Sequence, residues 1–167
     1  MKHLKTLITI LIIGLSFSAL QAQKVAHIDT QKLIEAMPET KAAQTELERL
    51  RNSYDAELAS MYKELEAKFK LYESEASNKT EEENMKRAEE LQASERKIAE
   101  YRQNAIVDLQ KKEADLYSPL FDKARNAIKK VAADKGIQYV LDATPGSGLI
   151  VAEGEDLLPA VKKQLGI

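Results

Sequence analysis

The chain has no cysteine in its 167 residues, which removes disulfide scaffolds, thiol enzymes and cysteine-linked lipid anchors from consideration. Only two histidines occur. One of them, His3, falls in an N-terminal leader, so His27 stands alone, without partners for a histidine-dependent triad or a zinc cluster. Glycine and proline number six and four, and Pro119 is the only one of either between Glu39 and Lys135. Positive charge is not in excess: leaving out Lys2 and Lys5 of the leader, 23 basic residues face 27 acidic ones. A nucleic-acid binder needs a basic surface for its phosphate contacts, so that class is excluded. Gly146-Ser147-Gly148 lacks the spacing, the lysine and the following helix start of a phosphate-binding loop. No cofactor and no metal are expected.

What is present begins with "MKHLKTLITILIIGLSFSALQA", two lysines ahead of an uncharged apolar run from Leu7 to Phe17 and then small residues. This is the plan of a signal peptide over residues 1–22, cleaved after Ala22, with a core too short for a comfortable membrane span. An exported, soluble chain of 145 residues follows.

From Glu39 to Lys135, 40 of 97 residues are Asp, Glu, Lys or Arg. The apolar positions in the first half, Leu47, Leu50, Tyr54, Leu58, Met61, Leu65, Phe69, Tyr72 and Ala76, are separated by steps of 3, 4, 4, 3, 4, 4, 3 and 4, an eleven-residue repeat. Such a repeat specifies a nearly straight or slightly right-handed coil. In the second half Ile98, Leu109, Leu120 and Val131 are spaced by eleven, with Ala105, Leu116 and Ala127 on a neighbouring row. Two long amphipathic helices are predicted. Thr80 and Glu83 form a Thr-x-x-Glu capping box, which puts the bend at Ser77 to Lys79. Pairs such as Glu66 with Lys70 and Glu82 with Lys86 set an acid four residues before a base on solvated faces.

Pro38 and Pro119 lie at similar distances either side of Lys79, at one level of an antiparallel hairpin whose arm is roughly 58 Å long. Ser118 with Pro119 is expected to kink or break the second helix and start a new one, running to about Asp134. The hairpin returns the chain to "KVAHID", residues 24–29. There the predicted strands Lys24 to Asp29, Ile137 to Asp142 and Leu149 to Ala152 meet in one sheet, with Pro145-Gly146 as the turn between the last two. "DLLPAVKKQLGI" supplies a last helix with Pro159 in its first turn. Three short strands with apolar residues on both faces leave edges uncovered, which argues for self-association. Asp29 and Asp142 end neighbouring strands, but each directly precedes a turn or helix start, so capping explains them better than acid-base work. The chain is not expected to be an enzyme.

The blocks "KVAHIDTQKLIEAMPETKAAQ", "YSPLFDKARNAIKKVAADKGIQYVLDA" and "DLLPAVKKQLGI", in that order around a long coil hairpin and behind a signal peptide, resemble the Skp/OmpH family of periplasmic chaperones. The resemblance implies an α+β fold with a small β-sheet body of three short strands per chain, completed in a homotrimer, and a long antiparallel α-helical coiled-coil hairpin arm. The expected division is 1–22 signal peptide, 23–38 with 119–167 as body and oligomerisation domain, and 39–118 as arm. It further implies an ATP-independent periplasmic holdase that keeps unfolded outer-membrane proteins between its arms. The alternative is a structural adaptor of the cell envelope. Two departures stand out. Residues 73–90 are acidic where the best-known member is basic, so no lipopolysaccharide or membrane site carries over. Leu158 stands where relatives often have a Thr capping the last helix. A holdase needs many weak apolar contacts, and the client-contact candidates are Tyr54, Leu58, Met61, Tyr62, Leu65, Phe69 and Tyr72, of which Tyr62 lies beside the repeat rather than in it.

Overall fold

The computed structural model describes residues 23–167; the expected signal peptide lies outside them. The elements run β1 (Val25–Ile28), α1 (Thr30–Ala36), α2 (Pro38–Glu75), a 3-10 turn (Ala76–Asn78), α3 (Glu81–Lys135), β2 (Tyr139–Asp142), β3 (Glu155–Asp156) and α4 (Leu158–Leu165). Two compact units result, one from the described residues up to Leu33 with Ala124–Ile167, the other from Ile34–Lys123. Among the described residues no helix is long and apolar enough to cross a membrane.

The second unit is the helical hairpin. Pro38 sits in the first turn of α2, where its missing amide costs nothing. Buried Thr40 ties that turn down by donating its hydroxyl to the Ile34 carbonyl. Along the hairpin Glu39 meets Lys123, Tyr54 meets Asp108, Tyr72 meets Glu90 and Glu75 meets Arg87. Each step up α2 is matched by an equal step down α3, so the helices are antiparallel in one register throughout. Ala43 on α2 and Ile98, Ala105 and Leu120 on α3 are buried in the seam. At the bend, Thr80 Oγ1 accepts from the Glu83 amide at 3.2 Å and Glu83 Oε2 accepts from the Thr80 amide at 3.0 Å, the reciprocal capping box.

Of the kink or break expected at Ser118 and Pro119, the break does not occur: α3 runs unbroken through Pro119. Proline there removes one hydrogen bond, to the carbonyl four residues back. Asp115, Ser118 and Pro119 are all solvent-exposed, which leaves the freed carbonyl on the open side of the helix, while Leu120 keeps the seam closed just beyond.

In the first unit the sheet order is β2-β1-β3 and both pairings are parallel. Val25 to Ile28 align with Tyr139 to Asp142, and Ala26 and His27 with Glu155 and Asp156. The expected third strand at Leu149 to Ala152 is therefore replaced by Glu155–Asp156, and no hairpin joins it to β2. Fully buried Leu157 and Val161 explain the choice. Leu157 donates its amide to the His27 carbonyl, and anchoring it pulls the two acidic residues before it into line with β1. The turn at Pro145-Gly146 forms, closed by Ser147 donating to the Thr144 carbonyl, with Gly146 at φ 89° as a type II turn requires. It leads into exposed chain, Ile150 being 96% accessible.

Asp29 and Asp142 do local work. Asp29 accepts from the Lys32 amide at 2.8 Å and pairs with the Lys32 ammonium at 3.0 Å, capping α1. Asp142 accepts from the amides and hydroxyls of both Thr30 and Thr144. The start of α4 lacks a cap at Leu157 or Leu158, but Asp156 accepts from the Leu158 amide at 2.9 Å, so a residue two places upstream performs the service.

Candidate functional site

The surface of the hairpin carries large apolar side chains that lie open on a regular scaffold. An antiparallel pair of helices has one seam and two flanks. The seam takes the rows that recur every eleven residues, and anything one or two positions off those rows is left at the edge.

Most of the candidates read from the sequence line the seam. Tyr54 donates its hydroxyl to Asp108 and meets Tyr101 edge-on, ring centroids 6.0 Å apart. Bonding of the phenol to that carboxylate pushes the Tyr54 pKa up. Leu58, Met61 and Leu65 are half-buried. Tyr72 donates to Glu90 at 2.6 Å, and the Arg87 guanidinium stacks 4.6 Å from its ring centre. The Tyr72 hydroxyl and then the Lys68 ammonium hold the Glu90 carboxyl below the usual carboxylate range. Tyr62 and Phe69 are different, 51% and 55% exposed. Phe69 belongs to the repeat, yet the constant register sets it level with Ala93, a residue too short to cover a ring.

Sequence reasoning missed other open side chains on the same unit: Leu71, Met85, Ile106, Val107 and Phe121. A signal for one of them was present. Ile106 and Tyr117 each follow a seam residue by one position, Ala105 and Leu116, and form an eleven-spaced row of their own. At the level of Leu65 and Ile98 two grooves flank the seam. One is lined by Tyr62, Ala99, Arg102, Gln103 and Ile106 with Glu95, the other by Met61, Glu64, Lys68, Ser94 and Lys97. Neither groove brings together a nucleophile with a base, and among the described residues no cluster of His, Cys, Asp and Glu could hold a metal. The arrangement offers reversible apolar contact rather than bond-making chemistry.

Comparison with known proteins converges on one family. The family model for outer membrane protein (OmpH-like) matches residues 24–165. The chain belongs to the Skp/OmpH family. It is 22% identical over 155 residues to a chaperone protein Skp of Pectobacterium atrosepticum, covering 93% of each chain. It is 24% identical to a chaperone protein Skp of Photorhabdus laumondii, over 92% of this chain and 93% of that one. A crystal structure from Caulobacter crescentus CB15, described as OmpH-like, superposes with a TM-score of 0.75 at 17% identity, covering 86% of this chain and 83% of that one. The Skp/OmpH family is non-enzymatic, and the small sheet with a long helical hairpin is its fold.

Proposed function

We propose that this member is an ATP-independent holdase chaperone of the periplasm that binds unfolded outer-membrane proteins along its helical arms and prevents their aggregation. In this reading residues 23–38 and 119–167 form the body, which assembles as a homotrimer, and residues 39–118 form the arm. The observation that carries it is the exposure of Tyr62 and Phe69 on the flank of a highly charged hairpin, in a chain whose relatives include chaperone proteins Skp. A spacer helix pair has no use for open aromatic rings, whereas an unfolded barrel protein needs weak apolar contacts spread over its length. Each side chain that buries part of its area contributes at about 25 cal/mol per Å², enough in sum to hold a client and little enough singly to release it.

The test is to dilute a urea-unfolded outer-membrane barrel protein into nucleotide-free buffer with increasing amounts of residues 23–167 and follow light scattering. Suppression that saturates at a fixed ratio of one trimer per client is expected. A folded, self-associated protein that leaves aggregation unchanged would instead support the structural adaptor.

A further inference from the structure

The two grooves beside the seam share Leu65 and Ile98 and otherwise differ in lining: one adds Tyr62, Ala99 and Ile106 to its polar residues, the other only Met61. On one side Lys68 is held by Glu64 at 3.7 Å and by Glu90 at 2.9 Å, with Ser94 and Lys97 beside it. These polar groups cover the seam from that side. On the other side Tyr62 and Ile106 are open, 51% and 43% exposed, across a floor of Leu65, Ile98 and Ala99. The open character continues in both directions. Phe69 follows Tyr62 by seven residues, two turns along the same face. Half-buried Tyr117 follows Ile106 by one full repeat, its ring 6.3 Å from that of open Phe121.

We propose that clients dock on this flank alone, as an extended, uncharged segment with alternating apolar side chains. The proposal rests on the holdase reading and adds to it the side of the arm and the form of the ligand. Spacing identifies the occupant. Between Ala99 and Phe121 the helix rises about 33 Å, and polar positions such as Gln103 and Gln110 separate open Ile106 from its neighbours along the flank, so the apolar side chains form a row rather than one contiguous patch. A folded partner needs a contiguous patch of about 800 Å² on each side, which such a ladder does not offer. About ten residues of extended chain cover the same length at about 3.3 Å each and present one face every second residue.

Charge agrees. The groove has Glu95 on one wall and Arg102 on the same helix two turns on, one charge of each sign. A charged segment of either sign gains nothing there on balance. An unfolded chain, by contrast, has unpaired amides and carbonyls, for which Glu95 accepts and Arg102 and Gln103 donate.

The natural absence of cysteine makes the test clean. Single variants Glu95→Cys and Gln103→Cys report on the open flank, Glu64→Cys and Lys97→Cys on the other, and none removes an apolar contact. Each is labelled through its thiol with a benzophenone, mixed with an unfolded barrel protein, checked for aggregation suppression and irradiated. Adducts with the client several-fold more abundant from positions 95 and 103 than from 64 and 97 are expected. Equal yields from both flanks, with suppression intact, would overturn the sidedness while leaving the holdase standing. Adducts between two copies of the chain at 95 and 103, undiminished by client, would make the flank an interface between copies and overturn the proposal. Loss of suppression in the unlabelled natural chain would remove the holdase reading itself.

Discussion

Asp142 is a carboxylate with four donors, the amide and hydroxyl of Thr144 and of Thr30, and it fastens the end of β2 to the start of α1. Partial burial pushes its pKa up, but the Thr144 and Thr30 donors outweigh burial and leave it below the ordinary aspartate value. The folded carboxyl is thus more acidic than the unfolded one, near 3.9. Its stabilisation is complete well above that value and drains away as the pH falls through the lower folded value. Asp142→Asn should therefore lower the urea midpoint at neutral pH and flatten its decline below about pH 4; an unchanged acid limb would remove Asp142 from that role. Thr40 is a second case. Thr40→Val removes the hydroxyl donated to Ile34, but that carbonyl also accepts from the Met37 amide, so the expected loss is modest, about 1 kcal/mol in chemical denaturation. The capping character of Asp29 was legible because the residue stands directly before a helix start. That of Asp156 was not, because it stands two residues before Leu158, further from the helix start than a cap ordinarily sits. Tyr62 was legible as a residue beside the repeat; Ile106 was not, because it directly follows the seam residue Ala105 and is as apolar as the buried row.

At the scale of elements, α2 and α3 were written plainly in the sequence, since a stripe sustained over several repeats has few alternatives. The capping box that opens α3 is the clearest local signal. Thr80→Ala takes away the acceptor for the Glu83 amide and should cost about 1 kcal/mol, read as a lower melting temperature by helical circular dichroism. Pro119 misled because proline is usually a terminator. A helix tolerates it when the carbonyl it strands is open to water and the apolar row continues on both sides, as here. Pro119→Ala restores one backbone bond and should stabilise the hairpin by about 1–3 kcal/mol in the same melting experiment; no gain would mean that the helix has already relaxed around the ring. β3 was illegible for another reason. Glu and Asp have low strand propensity, and two residues show no periodicity; the pairing is imposed by Leu157 and Val161 seating themselves in the core. Ile150 and Val151 have the stronger strand propensity and remain unpaired.

For the whole molecule, open apolar chain beside a three-stranded sheet with unpaired edges is what the proposed trimer would cover. Changing Ile150 and Val151 together to Asp should shift the sedimenting species from trimer toward monomer without loss of helical signal. A trimer that persists would place the interface elsewhere. The number of copies was never legible in the residues, because uncovered edges demand a partner without saying how many. One consequence of the sheet lies in time rather than space. β1 pairs with strands that come more than a hundred residues later in the chain, while the contacts of the hairpin close progressively outward from the bend. A polypeptide emerges with its N-terminal end first, so the hairpin can zip from local contacts while Val25 to Ile28 wait, unpaired, for almost the entire chain to arrive. For that interval the nascent protein carries an exposed strand of its own, and is briefly the kind of molecule its mature form is proposed to protect.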